Sequence, residues 1–157
     1  MTTDVLFLLK IIFATVILAC ACAADIRSRR IPNLCPALLA AGGAVFLVPE
    51  FILFRDEVWA LLSDSILAAV LCLIFFLVIH GLSHGGIGFG DIKLFSALGF
   101  LLGAEPLLYT VFFSFLLFAC VSVILLLLKK KRREDTLPFA PFILTGFLGS
   151  FLLSCFF

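Results

Sequence analysis

Long apolar runs, broken only by short polar clusters, dominate this 157-residue chain and leave few folds open to it. Crossing the hydrocarbon core of a bilayer takes about 20 apolar residues in a helix. Backbone groups in lipid must find partners within their own segment, so a run of that length becomes a helix. The sequence predicts six such spans, at about Val5–Ala24, Pro32–Val48, Val58–His80, Asp91–Gly103, Leu107–Leu128 and Pro138–Phe157. The expected fold is therefore all-α, a polytopic membrane protein with six transmembrane helices, and residues 1–157 form a single domain. Composition agrees: 64% of residues are apolar, where soluble domains have about 45–50%. Mean hydropathy is +1.33. A net charge of +1 carries no nucleic-acid footprint. Pro32 and Pro36 suit the first turns of the second span, and Pro49 is expected to stop it. Lys10 is expected to snorkel out of the first span. The N-terminus does not read as a cleavable signal peptide, since it lacks a basic n-region and an A-x-A site before Asp25.

Charge sets the orientation. Arg27, Arg29 and Arg30 follow the first span, and Lys129–Arg133 follow the fifth. Basic clusters favour the cytosolic side. Six spans put both clusters on that side and both termini outside the cytosol. The opposite loops carry Glu50, Asp56, Glu57 and Glu105, with Arg55 as their basic residue.

Two aspartates fall on the cytosolic side of this arrangement. Asp25 closes the first run and opens Asp25-Ile-Arg-Ser-Arg-Arg-Ile-Pro-Asn33. Asp91 closes Gly85-Gly-Ile-Gly-Phe-Gly-Asp91 and opens the fourth run. Ionisable groups at membrane depth are costly and mark functional sites. The fourth span, 13 residues or roughly 20 Å of helix, is too short for the core. Either the bilayer thins there, or the helix begins below the cytosolic surface and its glycine loop dips into a wet notch.

Gly88-Phe-Gly-Asp91 is the GxGD motif of membrane-embedded aspartic proteases. The longer string Gly85-Gly-Ile-Gly-Phe-Gly-Asp-Ile-Lys-Leu94 resembles the prepilin peptidase version of it. Asp25…Arg30-Ile-Pro-Asn33 resembles that family's first catalytic segment, and Pro138-Phe-Ala-Pro-Phe142 is similar to its proline pair. The resemblance covers nearly the whole chain. It implies an aspartic endopeptidase of the inner (cytoplasmic) membrane that removes the short basic leader from prepilins or pseudopilins at the cytosolic face. Asp25 and Asp91 would be its catalytic pair. Larger family members carry paired CxxC cysteines and also methylate the new N-terminus. The six cysteines here form no CxxC pair, so the chain resembles the compact, peptidase-only form. An archaeal-type preflagellin substrate stays open, as do the particular pilin and the oligomeric state.

Two carboxylates suit peptide hydrolysis, one as base toward water and one as acid toward the carbonyl oxygen. Close carboxylates share a proton. Helix ends predict the sharing: Asp25 near a C-terminus holds the proton, while Asp91 near an N-terminus stays charged. Gly88 and Gly90 would let a substrate strand approach the backbone, or merely let two helices pack closely. Lys93 either steers an anionic substrate group or faces lipid headgroups. His80 and His84 are four apart, but Gly81 and Gly85 argue against a helical metal pair. No metal or cofactor is expected, and the cysteines read as small hydrophobes. Two rival readings use the same features: an ion-coupled transporter working through the carboxylates, and a non-catalytic subunit of a secretion assembly that needs neither.

Overall fold

The computed structural model describes residues 2–53, 58–83, 86–128 and 137–154. Arg55–Glu57, His84, Gly85 and the basic cluster 129–133 lie outside the described residues. The described residues form six helices: α1 (Thr2–Ser28), α2 (Leu34–Leu53), α3 (Val58–Leu82), α4 (Phe89–Leu102), α5 (Ala104–Leu127) and α6 (Ala140–Ser154). Among them, four segments are long and apolar enough to cross a membrane: Val5–Ser28, Leu34–Leu53, Val58–Leu82 and Ala104–Leu127. The helices α4 and α6, at 14 and 15 residues, are shorter.

The short α4 is the central post. Eight of its 14 residues are buried, among them Ile92, Leu94, Phe95, Leu98 and Leu101, so its environment is protein on nearly all sides. It packs chiefly on α3 and α2, and also on α5 and α1; α6 closes the circle between α1 and α5. The outer helices turn apolar side chains outward, including Leu8, Val16, Phe75, Val78, Leu108 and Phe112. That inversion is stable when lipid is the solvent. Close packing instead relies on small and hydroxyl residues. Gly146 of α6 lies against the Ser114 backbone of α5, where no Cβ would fit. Thr110 and Ser114 satisfy their hydroxyls on the carbonyls one turn back.

Two features differ from the sequence reading, and a third bears on a point it left open. Pro49 does not stop α2, which runs on to Leu53. Proline there removes one intrahelical bond, a loss that neighbouring helices can absorb in a membrane bundle. Lys10 does not snorkel: Nζ lies 2.6 Å from Glu50 Oε1 of α2, with both side chains nearly excluded from solvent. The nearby carboxylate offers the ammonium a partner without any path to the surface.

The third concerns the missing length of α4. His80, two residues before the end of α3, packs at a tilt on Phe89 at the start of α4, with ring centroids 4.2 Å apart. The end of α3 and the start of α4 are thus level. At the other end of α4, the Ala104 N–H donates to Asp64 Oδ2 at 3.0 Å. Asp64 lies six residues inside α3, or about 9 Å of rise. Measured against α3, the shortfall of α4 is at the end away from Asp91. The turn there is made by Gly103, at φ 87° and ψ −178°, a conformation essentially limited to glycine.

Candidate active site

Asp25 lies in the last turn of α1, which continues to Ser28. The helix is closed by Arg29, whose φ of 51° is left-handed and whose N–H donates to the Asp25 carbonyl at 2.8 Å. The Asp25 side chain is buried, and its Oδ2 accepts a hydrogen bond of 3.0 Å from the backbone N–H of Ala140. That amide belongs to the first residue of α6, one of the donors a helix start leaves without an internal partner.

Asp91 stands in the first turn of α4. Gly88 precedes that helix in extended conformation and provides no side-chain cap. The Asp91 N–H donates to the Gly88 carbonyl at 3.1 Å. Its carboxyl lies against Gly88, where a Cβ would come 3.1 Å from Oδ2. Asp91 is within electrostatic reach of Asp25, and α1 and α4 are in contact. The structure therefore brings together the two aspartates that stand 66 positions apart in the chain.

The α1 C-terminus is not the only helix end at Asp25. The α6 N-terminus also points at its carboxylate, and a positive helix end with a donated N–H stabilises negative charge. The expectation that Asp25 holds the shared proton rested on the α1 end at Asp25 and the α4 start at Asp91, without the α6 start.

The other candidate residues surround this pair with varied roles. Gly90 faces the linker between α1 and α2: a Cβ there would sit 3.0 Å from Ile31 Cβ. Lys93 is exposed and donates to Asn33 Oδ1 at 3.1 Å, joining α4 to the residue before α2. Two residues on from Asp91, it projects roughly 200° around the helix from it. There it borders a groove of about 490 Å³ between α2, α3 and α4, with Asn33, Ala37, Ala69 and Ser96 on its walls. His80 bonds the glycine loop through Nδ1 and the Ile87 carbonyl, 2.7 Å apart. A carbonyl only accepts, so Nδ1 carries the proton. Among the described residues, no group of three or more His, Cys, Asp or Glu could hold a metal ion.

Sequence reasoning missed Ala140 and the residue that seats it, Phe139. The ring of Phe139 packs on Phe95 of α4 and on Phe115 and Phe118 of α5, with centroids 6.0, 5.2 and 5.0 Å away. The proline pair around them was the available signal. Pro138 lies outside the helix, and Pro141 sits in its first turn, where a missing N–H costs nothing.

Residues 12–123, which hold both aspartates, match the type IV leader peptidase family. Over 88 residues the chain is 39% identical to the prepilin leader peptidase/N-methyltransferase of Bacillus subtilis (strain 168), an alignment covering 56% of this chain and 36% of that relative. The chain thus spans about a third of that relative's length. No solved structure matches. With the family's pattern running from α1 into α5 and across both aspartates, the chain belongs to the type IV leader peptidase family.

Proposed function

We propose that this protein is an aspartic endopeptidase that cuts the short basic leader from prepilins or pseudopilins at the cytosolic face of the inner membrane. The observation that carries this reading is the meeting of Asp25 and Asp91 at one end of the bundle. In the reading, six helices span the membrane, both termini face outward, and the Asp25–Asp91 end faces the cytosol. The Arg27–Arg30 cluster on that end supports the sidedness.

Asp25 acts as the base. Its Oδ2 is steadied by the Ala140 amide, and its carboxylate removes a proton from water as the water attacks the scissile carbonyl. Asp91 acts as the acid and gives its proton to the carbonyl oxygen. When the tetrahedral intermediate collapses, Asp25 passes its proton to the leaving amine and Asp91 recovers one from the hydroxyl. The pair returns to its starting state without a cofactor. With no CxxC pair in the sequence, we assign the peptidase step and not methyl transfer. An ion-coupled transporter would place such carboxylates near the membrane midplane. Here Asp25 is three residues from the end of α1, and Asp91 is the third residue of α4.

Purified protein in detergent, mixed with candidate prepilins and preflagellins, tests the proposal. Cleavage is expected for the wild type, lost in Asp25→Asn and in Asp91→Asn, and indifferent to chelators. Undiminished cleavage by either mutant would overturn it.

A further inference from the structure

The contact at Asp25 comes from a residue 115 positions away, so something must hold the start of α6 in register with α1. Polar capping does not explain it. Ala140 contributes only its backbone, and the residues around the helix start are Pro138, Phe139, Ala140 and Pro141. What fixes the segment is aromatic. Phe139 contacts Phe95, Phe115 and Phe118, and Phe142, in the first turn of the helix, packs edge-on against Phe118 with centroids 5.3 Å apart. Phe95 and Phe115 in turn stack on Phe76 of α3, at 5.2 and 5.7 Å and with nearly parallel planes. A continuous chain of ring contacts therefore runs from α3 through α4 and α5 to the residue before Ala140. Phe95 lies one turn beyond Asp91 on the same helix. Through these contacts, the helix that carries Asp91 also positions the amide that orients Asp25.

We propose that Phe139 is a positioning residue: its ring, wedged between α4 and α5, aims the Ala140 N–H at Asp25 and so keeps the base oriented toward Asp91. The inference rests on the peptidase reading and deepens it. Phe139 does not itself touch the reacting atoms. Loss of its ring lets the α6 start drift. The effect falls on turnover and not on substrate affinity. Geometric errors on the order of 1 Å at a reacting group cost up to about 100-fold in rate, and a leucine that fills part of the space should cost about tenfold.

The test combines kinetics with a direct view of the amide. Phe139→Leu and Phe139→Tyr are purified beside wild type, Asp25→Asn and Asp91→Asn. Protein labelled with ¹⁵N-alanine reports the Ala140 amide, assigned by its loss in Ala140→Gly. Phe139→Leu is expected to lower kcat about tenfold with KM within twofold. Its Ala140 resonance should move toward the position found in Asp25→Asn. Phe139→Tyr keeps the ring and should retain both the kcat and the resonance of wild type. Wild-type kcat in Phe139→Leu would overturn the proposal. So would a fall in kcat with the Ala140 resonance unmoved, since that marks a general packing defect. The peptidase reading fails separately: wild type would then cleave no leader, while the resonance would still report the Phe139–Asp25 connection.

Discussion

Among single residues, the site depends on groups that supply no charge of their own. Asp25 and Asp91 carry the proposed chemistry, but the Ala140 amide, the Gly88 backbone and Ile31 set where they stand. Replacing either aspartate by asparagine removes one half of the acid–base pair and should lower kcat at least about 100-fold, read in the prepilin assay. Gly90→Val would press a branched side chain on Ile31, where even a Cβ comes to 3.0 Å. The mutant is expected to fold yet cleave at least about tenfold more slowly, because the Ile31 linker and the head of α4 must separate. Normal turnover would show that the linker yields freely. The Lys10–Glu50 pair calls for a different measurement. Removing one partner leaves a buried charge alone, at a cost of about 3–5 kcal/mol, whereas removing both costs much less. Lys10→Met should therefore lower the detergent unfolding midpoint more than Lys10→Met combined with Glu50→Gln.

Helix α4 shows how an element too short for its environment can still be the best buried one. It reaches from the His80 turn of α3 only as far as Asp64, and the bundle closes over it. Asp64 performs an N-cap's task for α5 from a neighbouring helix, so its loss should cost about 1 kcal/mol, as a local cap does. Gly103→Ala should cost more, about 1–3 kcal/mol, because the added Cβ meets both a forbidden backbone region and the Asp64 carboxylate. Thermal unfolding in detergent should rank them wild type, then Asp64→Ala, then Gly103→Ala. Equal midpoints would mean that the turn is not under this constraint. Since the turn lies at the far end from Asp91, cleavage at a temperature where both mutants are folded should remain near wild type.

For the molecule as a whole, the circle of helices around α4 explains why the aspartates meet. Helices α1 and α6 must be neighbours for Ala140 to reach Asp25, and α1 must touch α4 for Asp91 to do so. The proposed sidedness follows from the same end of the bundle carrying Arg27–Arg30. Reporter fusions check it. Alkaline phosphatase joined after Leu53 should be active in an inner-membrane host, and joined after Ser83 it should be inactive. The opposite pattern would place the aspartates outside the cytosol and remove the proposed leader-peptide substrate.

Much of this was written in the chain in local form. The apolar runs located the six helices of the described residues, because hydrophobic length is a property of consecutive residues. Asp25 and Asp91 stood out because a charge beside such a run is costly wherever the run goes. Local signals failed where distant partners intervened. Pro49 lies inside α2, and Lys10 turns inward to Glu50. The order of the residues thus determined the helices and named the two carboxylates. Their meeting, and the amide of Ala140 on Asp25, came only with the packed bundle. The approach across 66 positions and the hydrogen bond across 115 depend on ring packing and helix ends, whose energies rest on geometry that no stretch of sequence contains.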